Sequence, residues 1–164
     1  QTVNLYLKNS HSFPKNKNIL DGIAYHSNFI TIENFTINGL QQSAVQLDKK
    51  TNQLILKIIG SAVDKIKIDT EVRFYDENDI LLATYAPAYS KNIIKNYEKG
   101  KFTIEETINL PQNLTKGNFY MNVILAIPKV DILATFPPIT VHSDGYISPN
   151  GDDFEYRWNG LIIL

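Results

Sequence analysis

Cysteine is absent from the 164 residues, which removes disulfide scaffolds, thiol nucleophiles and cysteine-ligated zinc at once. The absence suits a reducing compartment, and it suits equally the many secreted bacterial proteins that lack cysteine. Histidine is scarce: His11, His26 and His142. No two of them stand at a metal-ligand spacing, and a nucleophile needs a base beside it, so exposed or capping roles are the simpler assignment. No GxxxxGK[ST] phosphate loop and no GxGxxG turn occurs. No run approaches the ~18 apolar residues of a membrane span, and no charged-then-apolar signal segment opens the chain. Charge of neither sign dominates, with 16 basic and 17 acidic residues. A nucleic-acid partner would call for a basic stripe, and only Lys15, Lys17 and the pair Lys49–Lys50 gather positive charge. No catalytic residue, metal site or cofactor is expected from this inventory.

Helix periodicity is also nearly missing. What fills the chain instead is Ile, Val, Thr, Phe and Tyr in short runs separated by turn residues. Candidate strands are Phe29–Ile37, Leu54–Ile59, Ile68–Asp76, Ile80–Tyr85, Lys101–Asn109, Asn118–Ile127, Pro138–His142 and Trp158–Leu164. The acidic "DEND" at 76–79 joins two of them as a hairpin turn. Strands recurring without intervening helices predict one all-β domain, an antiparallel Ig-like or jelly-roll-like β-sandwich. Two segments have helical features. "TVNLYLKN" at 2–9 places Val3, Tyr6 and Leu7 on one side, and "SKNIIKNYEKG" at 90–100 reads as a helix or as a loop between sheets. The division expected is a helix remnant and linker over 1–28 and the sandwich over 29–164. Opening on Gln1 rather than methionine is what a fragment or processed product would show.

One face of the sandwich is unusual. Phe119, Met121, Val123 and Leu125 fall on one side of their strand, with Tyr120, Asn122 and Ile124 on the other. Along Ile68–Asp76, residues Ile68, Thr70, Val72 and Phe74 point one way, and Asp69, Glu71, Arg73 and Tyr75 the other. If Phe74 and Phe119 share the core, then Glu71, Arg73, Tyr75, Tyr120 and Asn122 share an outer face. Tyr85 joins them under one register of its strand and not under the other. Tyrosine rings offer packing for the C–H faces of a sugar, and the polar groups offer donors and acceptors for its hydroxyls. The plainer alternative is that tyrosine is simply a good strand former and pairs with arginine in any sandwich.

Two further sites are weaker. A glycosidase pair needs two carboxylates at a set separation, and Asp69, Glu71 and Glu105 are the candidates. Asp144, Asn150, Asp152 and Asp153 in "DGYISPNGDD" supply oxygen ligands of the kind calcium takes, but the spacing is not that of a calcium loop and the composition is that of a long turn. Asn34-Phe-Thr and Asn113-Leu-Thr match the glycosylation pattern, relevant only to a secreted eukaryotic chain.

The order of motifs carries a resemblance. "FITIENFTINGLQ" leads, then "NQLILKIIGSAVDKIKIDTEVRFYDENDILLATY", "KGKFTIEETINLPQNLTKGNFYMNVILAIP", "FPPITVHSDG" and a final "WNGLIIL". This series resembles the C-terminal carbohydrate-binding, Wzt-like domain of the ATPase subunit of polysaccharide (O-antigen type) ABC transporters. The family's L-x-x-G-x-Y pattern is matched by Leu114 and Gly117, with Phe119 in the usual aromatic place and Tyr120 one step later. Val3, Tyr6 and Leu7 resemble the end of the preceding ATPase module, while Asn78 and Asp79 depart from the glycine usual in the hairpin. The resemblance implies a non-catalytic module that reads the end of a lipid-linked glycan for export, in the cytoplasm at the inner face of the membrane. It implies partnership with the transporter's ATPase domain and membrane subunit, and a homodimer in which "WNGLIIL" crosses to the partner. The competing expectation is a structural or accessory sandwich of a secreted adhesin or glycoside hydrolase.

Overall fold

Alternation of apolar and polar residues decides the architecture. The computed structural model describes residues 18–47 and 52–145. In order they form β1 (Ala24–Tyr25), β2 (Ile30–Ile37), β3 (Ala44–Gln46), β4 (Gln53–Ala62), β5 (Ile66–Tyr75) and β6 (Leu81–Tyr85). A helical turn α1 (Pro87–Ser90) follows, then β7 (Lys95–Tyr97), β8 (Gly100–Asn109), β9 (Gly117–Ile127), β10 (Asp131–Thr135) and β11 (Ile139–Ser143). The expected all-β sandwich is what these strands build.

The smaller sheet has the order β2-β4-β8, antiparallel throughout. In the larger sheet β5 and β9 lie at the centre. The other edge of β5 takes β6 and β7 in succession, and that of β9 takes β10 and β11, which continue to β1 and β3. Only β3 and β11 run parallel among the described pairs.

Leu54, Leu56 and Ile58 on β4 are wholly buried against Val72, Met121, Val123 and Leu125 of the other sheet's inner row. Phe35 and Phe136 meet in the core with ring centroids 4.6 Å apart, and Phe74 and Phe119, on neighbouring strands of the large sheet, lie 6.0 Å apart. Each such side chain contributes about 1.5–3 kcal/mol by leaving water. Gly60 on β4 is dictated by a close approach: a Cβ there would lie 2.7 Å from the Phe102 ring and closer still to the Thr31 carbonyl. That crowding coincides with a bulge in β2 between Ile32 and Asn34.

Several expectations are revised. Residues 90–100 do not form a helix: α1 ends at Ser90, Asn92 has φ 54°, and Lys95–Tyr97 pairs with Ile66–Ile68. Pro87 in the first turn and Ser90, whose hydroxyl donates to the Ala86 carbonyl, fix the short turn instead. Residues 18–28, read as linker, belong to the fold: Ile19 is fully buried and β1 pairs with β10. The helical reading of 2–9 and the strand "WNGLIIL" lie outside the described residues. Among the described residues no helix is long and apolar enough to cross a membrane.

Candidate functional site

The β5–β9 register decides which side chains meet. Glu71 lies opposite Ile124, Arg73 opposite Asn122, and Tyr75 opposite Tyr120. The residues between them, Val72, Phe74, Phe119, Met121 and Val123, are all buried inward. Arg73, Tyr75, Tyr120, Asn122 and Glu71 therefore share the outer face, each half-buried. β11 extends this face, with Thr140 opposite Tyr120 and His142 opposite Asn118. His142 Nδ1 lies 2.8 Å from Asn118 Oδ1, and its Nε2 is 3.6 Å from Asp144. Thr140 and His142 were missed as neighbours of the tyrosines because strand adjacency across a long connection leaves no local signal.

Arg73 Nε donates to Glu71 Oε1. The guanidinium is held above its already high ordinary pKa, first by that bond and then, against the opposing effect of burial, by the Glu71 charge and by Tyr75. The pair presents a fixed donor–acceptor set with no net charge. Burial, then the Glu77 and Asp79 carboxylates, push the Tyr120 hydroxyl up, so it stays protonated at neutral pH.

A groove of roughly 350 Å³ occupies the end of this face at Glu71 and Arg73, and Tyr75, Tyr120 and Asn122 lie beyond its lining. Its floor is Glu71, Arg73, Ile124 and Ala126. One wall is Tyr89, carried by the connector from β6 to β7, and the other is the β9–β10 hairpin with Val130 and Ile132. The hairpin turns through Lys129 at φ 61°, and Val130 N donates to the Ile127 carbonyl. Tyr89 Oη accepts from Lys129 N at 3.3 Å, so the walls touch. Beside Tyr89, Ala88 N donates to Asp69 Oδ1 at 3.3 Å, pinning the connector to β5. Asp69 is buried there, and that burial, partly opposed by backbone donors, raises its pKa. Tyr89 and Val130, which remain 58% and 76% exposed, give the groove accessible apolar surface.

Tyr85 is not part of this face. A bulge between Phe74 and Tyr75 sets Leu81 opposite Tyr75, but Ala83 opposite Phe74 and Tyr85 opposite Val72. Tyr85 thus turns inward and its hydroxyl donates to Glu106 Oε2 of β8 at 2.7 Å. Lys95 Nζ reaches Glu106 Oε1 at 2.5 Å and the Glu105 carbonyl at 3.0 Å. Burial, reinforced by Glu106, drives the Tyr85 hydroxyl far above its ordinary pKa. The cluster links the two sheets and gives a buried carboxylate the partners it requires.

The carboxylate pairing of Glu71 with Glu105 is not available, because Glu105 sits on the outer face of the other sheet, 2.8 Å from Lys57. Among the described residues no cluster of three or more His, Asp or Glu could hold a metal. Of the suggested calcium ligands only Asp144 lies among the described residues, near His142.

No protein-family model matches the sequence, and no curated protein resembles it in sequence. Solved structures do resemble the fold. The C-terminal domain of Wzt superposes with a TM-score of 0.55 at 9% identity, covering 76% of this chain and 78% of that one. A Niemann-Pick type C2 protein from the Japanese carpenter ant gives a TM-score of 0.50 at 5% identity, covering 74% of this chain and 98% of that one. At these identities the likeness is one of architecture: the chain is a β-sandwich with a fold similar to that of the Wzt C-terminal domain.

Proposed function

We propose that this chain is a non-catalytic glycan-binding module that seats the end of a cell-surface polysaccharide on the outer face of β5 and β9. The observation that carries the proposal is the pairing of Tyr75 with Tyr120 and of Arg73 with Asn122 on an accessible face beside a groove. Two phenol rings can pack on the C–H surface of a pyranose, while the Arg73–Glu71 pair and the Asn122 amide meet its hydroxyls. A floor of mixed polar and apolar groups is the usual make-up of a small-molecule site. The contact between Tyr89 and Lys129 closes the groove at the β9–β10 hairpin, which favours a chain end over an uninterrupted glycan.

On this reading the ligand is a lipid-linked glycan selected for export by an ABC transporter. The module works as a homodimer beside an ATPase domain and a membrane subunit, at the inner face of the cytoplasmic membrane. The fold shared with the Wzt C-terminal domain supports the choice of partner.

Titration with the source organism's own polysaccharide, followed by amide and aromatic NMR shifts, tests the proposal. Saturating shifts are expected at Arg73, Tyr75, Tyr120 and Asn122, with a Kd as weak as ~1 mM, or about 4 kcal/mol. Shifts confined to other surfaces would overturn the assignment.

A further inference from the structure

Among the described residues the sandwich is open along one side. β6 ends one edge of the large sheet and β8 one edge of the small sheet, and no described strand joins them. Between β6 and the end of β8 lies a cleft of about 240 Å³. Phe74 and Phe119 form its base, Leu82 and Ala83 one wall, Ile108 and Leu110 the other. It penetrates between the sheets, unlike the groove on the outer face, and none of the groove's residues line it.

We infer that this cleft is a binding site for a single uncharged aliphatic chain. Size is the first argument. An apolar cavity of about 150 Å³ stays dry and takes up benzene, and sites for drug-sized ligands begin near ~300 Å³. A volume between these limits suits a short hydrocarbon chain. Chemistry is the second. No charged side chain lines the cleft, so neither a carboxylate nor an ammonium head finds a counter-ion there. The polar groups of its lining are engaged elsewhere: the Tyr85 hydroxyl donates to Glu106, Thr84 lies opposite outward-facing Arg73, and Asn109 accepts from Gln53 on the outer face of the small sheet. Water left in such an apolar space has few partners, so replacing it by methylenes is favourable.

The test is titration of the full chain with n-octanol, read at the methyl groups of Leu82, Ile108, Leu110 and Leu114 by carbon-13 NMR. Saturable shifts at these methyls are expected, at least tenfold weaker in Ala83→Trp, which fills the mouth from an exposed position. Leu82→Trp, at a half-buried position of the same wall, serves the same purpose if that variant does not fold. Octanoate is expected to bind at least tenfold more weakly than octanol. Absence of saturable shifts, equal binding by the filled variants, or equal binding of octanoate would each overturn the inference. So would binding that appears only after Trp158 and Leu161 through Leu164 are replaced by serine, since the chain's own apolar end would then be the occupant.

Discussion

The two outer faces of this sandwich are built on the same pleat and differ in almost everything else. On the small sheet, Lys57 pairs with Glu105, Lys101 with Glu33, and the Gln53 amide with Asn109, across rows of threonine and exposed Ile55. No aromatic residue points out from β2, β4 or β8. On the large sheet, Tyr75 and Tyr120 stand side by side, half-buried, with one ion pair and one amide next to them. Exposed ion pairs hold little stability and leave no shape behind. Half-buried rings, and farther along the same face a groove walled by a connector and a hairpin, leave a surface with a definite contour. The comparison separates a solvated face from one that a ligand can use.

The largest effect expected is on the ring pair. Tyr75→Ala and Tyr120→Ala should each weaken glycan binding about tenfold, near 1.4 kcal/mol, because each removes a stacking surface that nothing else on the face replaces. Thr103→Ala and Thr107→Ala on the opposite sheet should leave the same titration unchanged. Equal losses from both faces would erase the distinction.

Next in size is a test of where Tyr85 belongs. Removing its hydroxyl in Tyr85→Phe takes one donor from the buried Glu106 carboxylate and should cost about 1–2 kcal/mol in urea unfolding. Glycan affinity should not move. A loss of binding at unchanged stability would return Tyr85 to the outer face.

Tyr89→Ala should act more gently, lowering affinity roughly threefold, or about 0.7 kcal/mol, because the wall it forms is already open to solvent. Stability should stay within about 0.5 kcal/mol, as for exposed positions generally. An unchanged affinity would leave the floor as the whole of the site.

Much of this arrangement was legible from alternation alone. Val72 and Phe74 against Arg73 and Tyr75, and Phe119 and Met121 against Tyr120 and Asn122, each reveal a buried and an open row. Matching the two Phe residues in the core then gives the cross-strand neighbours. Alternation failed at β6, where one bulged residue puts Leu81 and Tyr85 on different faces although they are four apart. It also held a signal that went unread: Glu106 shares its row with Phe102, Ile104 and Ile108, which marks it as buried and in need of partners. The groove's walls left less trace. Tyr89 sits in a four-residue helical turn, and the β9–β10 hairpin depends on Lys129 adopting a positive φ. Short strands such as β3 and β7 form because a neighbour offers an edge, not because their own residues demand it.

The smallest effect expected is the one that tests the plainness of the other face. Lys57 holds the Glu105 carboxyl below its ordinary 4.5, first by a hydrogen bond and then by charge. A carboxyl lowered on folding lends stability that is complete above the unfolded value and is lost as pH falls through the folded one. Lys57→Met should therefore leave stability at pH 7 close to that of the parent and flatten its decline below about pH 4.5. Because both partners stand in solvent, 0.15 M salt should hide most of the difference. Arg73→Met, the corresponding change on the large sheet, should behave otherwise. It leaves the half-buried Glu71 without its partner and takes a donor from the groove floor, so glycan binding falls at pH 7 whatever the salt. If the two methionine variants proved alike, the large sheet's ion pair would be no more than a second solvated pair, and the tyrosines alone would have to distinguish that face.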